Sequence, residues 1–310
     1  MKSGVRISSI ASFLPEKRRV TELEAVKFEC EPGFLENKIG TTSLSVKDDT
    51  EDTSDLCVKA AEALASSGEY LNDVGVIVVC TQSPDGHGIP HTSAIVHSKL
   101  GLKKSCACFD ISLGCSGYVY GLSVVSSFME ANSIRRGLFF TCDPYSKIID
   151  PEDKATALLF GDAATVTLLT MEGPGYSIVE SVFATNGSGG SAINNRSGKL
   201  QMDGREVFNF ALTAVPTQIN ELLDKANVGI ADVDSFVFHQ GSRFMVEKIR
   251  QRMRIDDSKA PVFLSGFGNT VSSAVPITLE KVLSESSPKR IVICGFGVGL
   301  SYASSMLERR

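Results

Sequence analysis

Three side chains of this sequence have the chemistry for covalent catalysis: Cys115, His239 and Asn269. Cys115 follows an apolar run and a glycine and precedes an amphipathic segment, so we predict a strand, a turn that carries the thiol, and a helix. Amides at a helix start lack intrahelical partners and favour a thiolate, which can attack an acyl carbonyl. Taken alone, Cys115 fits a small buried hydrophobic residue somewhat better, which is what most intracellular cysteines are, so the other motifs must decide.

His239 ends the apolar stretch 236–238, and Asn269 lies in a glycine turn. Each has an ordinary explanation, because histidines at strand ends are often structural and Gly-Asn pairs commonly form turns. Beside a thiol, however, imidazole and carboxamide donors can stabilise an oxyanion or an enolate. A carboxylate in place of Asn269 would repel that negative charge. The three residues therefore predict a covalent, acyl-cysteine type of chemistry.

Strands and helices alternate around these residues, which predicts an α/β layered fold. After Cys115, the spacing of Tyr118, Leu122, Val125 and Met129 predicts one apolar helix face. The predicted strands are 5–13, 74–80, 138–142, 165–169, 176–185, 235–238 and 290–294. The predicted helices are 22–37 (interrupted at Pro32), 54–65 (capped by Ser54 or Asp55), 91–100, 207–225, 244–253 and 275–284. The segment 186–199, rich in Gly, Ser and Asn, is typical of a flexible surface stretch.

Composition excludes several classes of protein. The 310 residues include 31 Lys and Arg against 36 Asp and Glu, which argues against a general nucleic-acid binder. Eight scattered cysteines lack the spacing of a zinc site or a disulfide scaffold, so we expect reduced thiols and no metal, with Cys106 and Cys108 packed in the core. No signal peptide or membrane span is evident, which predicts a soluble, cytoplasmic protein.

Several stretches, in order along nearly the whole chain, resemble the β-ketoacyl-ACP synthase III enzymes of the thiolase superfamily. They are 110–117, Leu159-Phe160-Gly161-Asp162, Val207-Phe208, His239-Gln240, Gly268-Asn269-Thr270 with Val275-Pro276, and the glycine-rich strand end at 295–299. The resemblance implies a duplicated thiolase-like fold of layered helices and mixed five-stranded sheets (αβαβα). Its N-terminal half would be 1–171, with the cysteine, and its C-terminal half 172–310, with the histidine and asparagine.

The resemblance also implies a reaction, in which Cys115 takes an acyl group from acyl-CoA and malonyl-ACP then loses carbon dioxide. His239 and Asn269 would hold the thioester oxygen of the resulting enolate, which attacks the acyl-cysteine. The backbone amides of Cys115 and Val298 would form an oxyanion hole. No metal or redox cofactor is implied, the enzyme would be a homodimer, and Asp162 would make structural hydrogen bonds.

Some positions depart from the family pattern. Phe34 stands where a tryptophan commonly stacks on the CoA adenine, and Lys38 and Lys154 replace arginines. Ile89 matches a residue that enters the partner subunit's acyl pocket. Further substrate-binding positions implied by the resemblance are Arg205, Phe208, Gly241 and Ser242.

The family arginine that meets the carrier protein falls on Phe244. Its role is therefore expected to pass to other basic residues of the same predicted helix, namely Arg243, Lys248, Arg250 and Arg252. Two alternatives remain open from the sequence. One is an acyltransferase or condensing enzyme of specialised metabolism that uses the same cysteine, and the other is a non-catalytic scaffold with this fold.

Overall fold

The computed structural model describes residues 4–69, 71 and 73–310, and within these residues the chain forms thirteen strands and eight α-helices. The strands are β1 (Arg6–Phe13), β2 (Arg18–Val20), β3 (Ser43–Ser45), β4 (Val76–Cys80), β5 (Ala107–Ile111), β6 (Arg136–Cys142), β7 (Ala164–Thr170), β8 (Tyr176–Thr185), β9 (Ile193–Asn194), β10 (Gln201–Met202), β11 (Ser235–Phe238), β12 (Arg290–Gly297) and β13 (Ser301–Arg309). The helices are α1 (Glu22–Lys27), α2 (Thr53–Ser66), α3 (Thr92–Lys99), α4 (Gly117–Ala131), α5 (Lys154–Ala157), α6 (Gly204–Ala226), α7 (Arg243–Met253) and α8 (Ala274–Glu285).

One mixed sheet forms the frame of the molecule. Among the described residues it has nine strands in the order β11-β12-β13-β8-β1-β7-β6-β4-β5. Five of them precede residue 171 and four follow it, and the two groups meet where β1 pairs with β8 at Ile7 and Tyr176. The sequence predicted the α/β class, but the strands form one sheet of five plus four rather than two five-stranded sheets. The predicted boundary after residue 171 falls in the loop between β7 and β8.

Helices form three layers around this sheet. α4 and α8 share one apolar cluster with strands from both groups, so they form the central layer. α2 and α3 cover the outer face of the first group, and α6 and α7 cover that of the second. The predicted face of α4 is confirmed, because all four of its side chains are fully buried. Each such burial contributes roughly 1.5–3 kcal/mol before entropic costs.

The start of α2 differs from the predicted cap. Its N-cap is Asp52, whose carboxylate accepts a hydrogen bond from Thr53 N (2.8 Å), while the Asp55 carboxylate accepts one from Asp52 N (2.9 Å). This reciprocal capping box satisfies amides on both sides of the helix start. The caps predicted at Ser54 or Asp55 were therefore wrong, although Asp55 takes part as the third residue of the box.

Three further expectations need correction. α1 ends at Lys27, well before the predicted interruption at Pro32. The 186–199 segment is not wholly superficial, because Ala192 and Ile193 are buried. Cys106 is buried as predicted, but Cys108 is only half-buried and its Sγ lies 3.6 Å from His91 Nε2 at the sheet edge. In the described part of the chain, no helix combines the length and apolar character needed to cross a membrane.

Candidate active site

Cys115 lies on the turn between β5 and α4, which confirms the predicted strand, turn and helix. The last strands of the chain lie directly against it. A Cβ added to Gly297 would stand 2.7 Å from Cys115 Sγ, and one added to Gly295 would stand 2.5 Å from Cys115 O. These close approaches require glycine at both positions of β12. Residues from both ends of the sheet therefore enclose the thiol.

The environment of Cys115 favours the neutral thiol. Burial, the largest cause, raises the pKa of Cys115 to about 12, and the negative charge of Asp143 also raises it. Hydrogen bonding from the backbone of Val298 and of Cys115 itself lowers the pKa, but by less. The expectation that the helix start would favour a thiolate is therefore not met, because desolvation dominates. The backbone groups of Val298 and Cys115, which were predicted to form the oxyanion hole, are the two that lower the pKa of the thiol.

His239 follows β11 directly, and its backbone N–H donates to Cys294 O (2.7 Å), which fixes its position beside β12. The imidazole is only 2% exposed and meets the Phe296 ring edge-on, with centroids 5.5 Å apart. Burial lowers the pKa of His239 to about 3, an effect that the backbone of Val271 partly opposes. The ring is therefore neutral near pH 7, so it offers one N–H donor and one bare nitrogen.

Asn269 is held by backbone and side-chain hydrogen bonds. Its N–H donates to Leu159 O (2.9 Å), its carbonyl accepts from Gly161 N (3.0 Å), and its Oδ1 accepts from Val271 N (2.9 Å). Because Oδ1 is occupied, the amide NH₂ remains available to donate to a ligand. A Cβ at Gly161 would lie 1.8 Å from Phe267 O, so only glycine fits there.

Asp162 has the structural role that the sequence predicts. Its carboxylate accepts hydrogen bonds from Lys47 N (2.9 Å) and Ser146 N (3.1 Å). Burial raises the pKa of Asp162, and these backbone donors oppose that rise. The side chain therefore joins two loops next to the Gly161 turn instead of entering the pocket.

One pocket of about 380 Å³ brings Cys115, His239 and Asn269 together, and we call these three residues the reactive end. Ile193, from the segment expected at the surface, also lines it. The charged residues in its lining are Lys38 and Arg205, both positive, although the chain carries a net charge of −5. The predicted positions Phe34, Lys38, Arg205, Phe208, Gly241 and Ser242 all line this pocket.

The opening of this pocket is aromatic and cationic, and we call its residues Phe34, Lys38, Arg205, Phe208 and Phe244 the mouth. Lys38 and Arg205 are exposed, and the three rings are half-buried. Phe208 and Phe244 stack with centroids 5.3 Å apart, and Lys38 Nζ lies 3.6 Å from the Phe244 centroid. No local pattern in the sequence indicates this stack, because its partners are 36 positions apart on different helices.

Other predicted substrate positions have different surroundings. Ser242 caps α7, since its Oγ accepts from Met245 N (3.2 Å). Lys154 lies outside the pocket lining, donates to Phe28 O (3.1 Å) and stands 5.4 Å from the Phe34 centroid. Ile89 is 93% exposed and lies outside the pocket of its own chain.

The basic residues predicted to meet a carrier protein all lie on α7. Arg243 faces Glu247 (3.6 Å), Arg250 faces Asp257 (3.5 Å), and Lys248 donates to Gln251 Oε1 (2.9 Å). Arg243, Lys248 and Arg250 are half-buried, and their charged ends pair at the surface of the helix. Arg252 is exposed.

Sequence reasoning missed a polar cluster next to Cys115, formed by Gln82, Asp143, Tyr145 and Ser272. The Asp143 carboxylate accepts from Gln82 N (2.6 Å) and Ser272 N (3.3 Å), and the Tyr145 hydroxyl donates to Gln82 Oε1 (3.2 Å). Burial raises the pKa of Asp143 to about 6. The sequence contains one indication of this cluster, since Asp143 directly follows the apolar stretch 138–142 at the end of a predicted strand.

Comparison with known proteins identifies what the chain is similar to. The family model for 3-oxoacyl-[acyl-carrier-protein (ACP)] synthase III matches residues 109–187, and the model for its C-terminal part matches residues 223–309. The β-ketoacyl-[acyl-carrier-protein] synthase III of Deinococcus deserti is 31% identical, with 97% of this chain and 90% of the relative covered. That of Caldanaerobacter subterraneus is 30% identical, with 99% and 98% covered.

Solved structures agree with these relatives. The crystal structure of a 3-oxoacyl-(acyl-carrier protein) synthase from Burkholderia xenovorans has a TM-score of 0.91 at 29% identity, with 99% of this chain and 95% of that chain covered. Xanthomonas campestris OleA matches with a TM-score of 0.89 at 19% identity, a likeness that concerns the fold alone.

Proposed function

The chain belongs to the β-ketoacyl-[acyl-carrier-protein] synthase III family, and we propose on that basis that it condenses an acyl thioester with malonyl-ACP through an acyl-cysteine intermediate. One observation carries the proposal. A thiol, a neutral imidazole and a carboxamide NH₂, contributed by distant parts of the chain, line one pocket. A thiol provides the covalent step, and two uncharged donors suit an enolate.

In the first half of the reaction, Cys115 Sγ attacks the carbonyl carbon of an acyl-CoA. The new C–S bond forms as the C–S bond to CoA breaks, and the proton lost by the thiol ends on the CoA sulfur. The backbone amides of Cys115 and Val298 donate to the oxyanion that develops on the carbonyl oxygen. Because the resting thiol is neutral, we expect thiolate character to develop only during this attack.

In the second half, malonyl-ACP loses carbon dioxide, and the electron pair of the broken C–C bond forms a thioester enolate. His239 and Asn269 donate hydrogen bonds to the enolate oxygen, and its carbon attacks the acyl-Cys115 carbonyl. The bond to Cys115 then breaks, and the thiolate takes up one proton from solvent. Each step uses only groups of this chain and its substrates, so the proposal includes no metal or redox cofactor.

The mouth supports a phosphate-bearing substrate arm. Lys38 and Arg205 are exposed cations at the opening, and the pocket lining contains no acidic residue among the described part of the chain. We assign Phe34, Lys38, Arg205, Phe208 and Gly241 to the path of the pantetheine arm, with Lys154 beside Phe34. The basic face of α7, formed by Arg243, Lys248, Arg250 and Arg252, is assigned to the acidic carrier protein.

A second copy of this chain is proposed to cover the β5 edge. β5 stands at the end of the strand order, all five of its residues are half-buried, and Phe109 packs edge-on against Phe128 at 5.2 Å. Ile89 is exposed in the loop that precedes α3, the helix packed on β5. Light scattering should report a dimer, and Ile89→Asp should weaken it. A monomeric wild-type protein would contradict this assignment.

Mass spectrometry of the intact protein tests the proposed reaction. Incubation with acetyl-CoA should add one acetyl mass to the wild-type protein, and addition of malonyl-ACP should remove it and release carbon dioxide. Cys115→Ala should show neither event, whereas Cys57→Ala, which changes a buried thiol of α2 in a different apolar cluster, should show both. An acetyl mass that persists on Cys115→Ala would disprove the proposed nucleophile, and release of carbon dioxide without loss of the acyl mass would disprove condensation.

A further inference from the structure

Val271 has a backbone conformation that its side chain disfavours. Its φ is +54°, in the left-handed region that a β-branched residue rarely adopts, and the residue is fully buried. Such a residue keeps this conformation only where surrounding contacts hold it. Its N–H donates to Asn269 Oδ1 (2.9 Å), and its backbone partly opposes the lowered pKa of His239. The short turn Val271–Ser273 therefore contacts both uncharged donors of the reactive end.

The end of β6 holds this turn from the other half of the chain. Ser272 donates to the Asp143 carboxylate through both its N–H (3.3 Å) and its hydroxyl, and Ser273 Oγ donates to Thr141 O (3.0 Å). All four residues are fully buried. Because a buried donor without an acceptor is costly, these hydrogen bonds favour one position of the turn against β6.

The same carboxylate also contacts the residues around the nucleophile. Its other oxygen accepts from Gln82 N (2.6 Å), and Gln82 Oε1 would stand 2.6 Å from a Cβ added to Gly114, the residue before Cys115. Asp143 thus joins the segment packed against the thiol's turn to the segment that carries Asn269. The Asp143 side chain itself lies outside the pocket lining, so it can act on the reaction only through these neighbours.

We infer that Asp143 is a positioning residue for the condensation half of the proposed reaction: its carboxylate holds the turn Val271–Ser273, and with it the two enolate donors, in place opposite Cys115. This inference rests on the proposed function and concerns the same site. A carboxylate suits the role because it accepts hydrogen bonds at both oxygens, whereas a carboxamide accepts at one end and donates at the other.

Asp143→Asn should therefore release only one side of this arrangement. The backbone N–H of Gln82 can only donate, so the amide oxygen of the new side chain must stay on Gln82. Its NH₂ then faces Ser272, whose hydroxyl can turn to accept but whose N–H loses its acceptor. The segment packed against the thiol is kept, and the strained backbone at Val271 is free to relax.

The test measures the two half-reactions separately. Intact mass gives the initial rate of Cys115 acetylation by acetyl-CoA, and carbon dioxide released from malonyl-ACP by the acetylated protein gives the rate of condensation. In Asp143→Asn, we expect acetylation within about threefold of wild type and condensation slower by about tenfold or more, because small displacements of reacting groups are costly. Ser272→Ala removes only the hydroxyl donor, so condensation should fall about threefold.

Asp234→Asn is the matched control. The Asp234 carboxylate also accepts from two backbone amides, those of Lys289 (2.7 Å) and Arg290 (2.8 Å), but it lies outside the pocket lining and far along β12 from Gly297. Both half-reactions should keep their wild-type rates in this variant.

The pH profile distinguishes positioning from a loss of stability. Burial, opposed by hydrogen bonds, raises the pKa of Asp143 to about 6. Its ionisable neighbours stay protonated there, because burial and the charge of Asp143 raise the pKa of each: Cys80, Cys115, Cys142 and Tyr145. Below about pH 6, Asp143 gains a proton and one oxygen stops accepting, so the ratio of condensation to acetylation should fall in the wild-type protein. In Asp143→Asn, this fall should be absent.

The outcomes separate this inference from the reaction on which it rests. If the wild-type protein takes up no acetyl group or releases no carbon dioxide, the proposed function fails. If folded Asp143→Asn keeps the wild-type ratio of the two rates, or slows both equally, only the positioning role is overturned. A wild-type ratio that does not change across pH 6 would overturn it as well. Folding is checked by circular dichroism, and if Asp143→Asn does not fold, Ser272→Ala decides, because an unchanged ratio in that variant contradicts the inference.

Discussion

The reactive end and the mouth of the same pocket are built in opposite ways. At the reactive end, Cys115, His239 and Asn269 are each at most 6% exposed and are positioned largely by backbone hydrogen bonds and by glycines that permit close approach. At the mouth, the half-buried rings of Phe208 and Phe244 stack, Lys38 lies over the Phe244 ring, and the Arg205 side chain is exposed. For the proposed reaction, the difference implies that bond-making would depend on fixed, desolvated groups, and that recognition of the substrate arm would depend on side chains that can adjust.

The largest expected effect comes from changing the charge or donor at the reactive end. Asn269→Ala removes the NH₂ donor, so malonyl-dependent release of carbon dioxide should fall about 10²–10³-fold while Cys115 acylation remains within a few-fold of wild type. Asn269→Asp should be at least as impaired, because its carboxylate would repel the enolate. If Asn269→Ala condenses at the wild-type rate, the role assigned to this amide is wrong.

A glycine substitution tests whether backbone packing holds the reactive end. In Gly161→Ala, the added Cβ would lie 1.8 Å from Phe267 O, so the turn that pairs with Asn269 must shift. We expect a loss of about 3 kcal/mol in the free energy of unfolding, measured by denaturant titration. Gly187→Ala is the matched control, because no atom lies within 4 Å of its added Cβ. Equal stability of the two variants would contradict this account of the turn.

The pH dependence of the thiol tests the electrostatics of the same end. The negative charge of Asp143 raises the pKa of Cys115, so Asp143→Asn should lower that pKa and increase the thiolate fraction at any given pH below it. Iodoacetamide should then alkylate Cys115 roughly threefold faster at pH 8 than in the wild-type protein. The whole rate profile should move to lower pH. A purely structural role for Asp143 would leave the profile where it is or move it upward.

The smallest effect is expected at the mouth. Lys38→Ala removes one exposed cation, so KM for acetyl-CoA should rise about two- to fivefold with a smaller change in kcat, and the difference should shrink at high salt. Lys104→Ala, at an exposed lysine outside the pocket, serves as the control. If kcat of Lys38→Ala fell as much as expected for Asn269→Ala, the proposed difference in role between the mouth and the reactive end would be wrong.

The sequence predicted the parts of this molecule that local pattern determines. Strand and helix alternation, the buried face of α4 and the positions of Cys115, His239 and Asn269 at element ends all follow from periodicity and turn residues. The order of matching motifs then predicted that these three positions meet. The local features can be predicted from stretches of about ten residues, and the meeting of the three positions from the order of the motifs.

Contacts between distant segments were not predictable in the same way. The Tyr145–Gln82 hydrogen bond and the Phe208–Phe244 stack depend on which loops meet, and neither pair has a sequence signature. The protonation state of Cys115 was misjudged for a related reason. The field of a helix start can be expected from sequence, but the depth of burial that outweighs it depends on β12 arriving from the other end of the chain.

The position of Gly295 and Gly297 against Cys115 also has a consequence for how the molecule matures. The nucleophile is covered only once β12 has joined the sheet, and β12 leaves the ribosome long after Cys115 does. Until then the sulfur is open to solvent from all sides, and afterwards reagents reach it only through the pocket and meet a neutral thiol. The strand that completes the proposed reactive end thus also restricts access to its thiol.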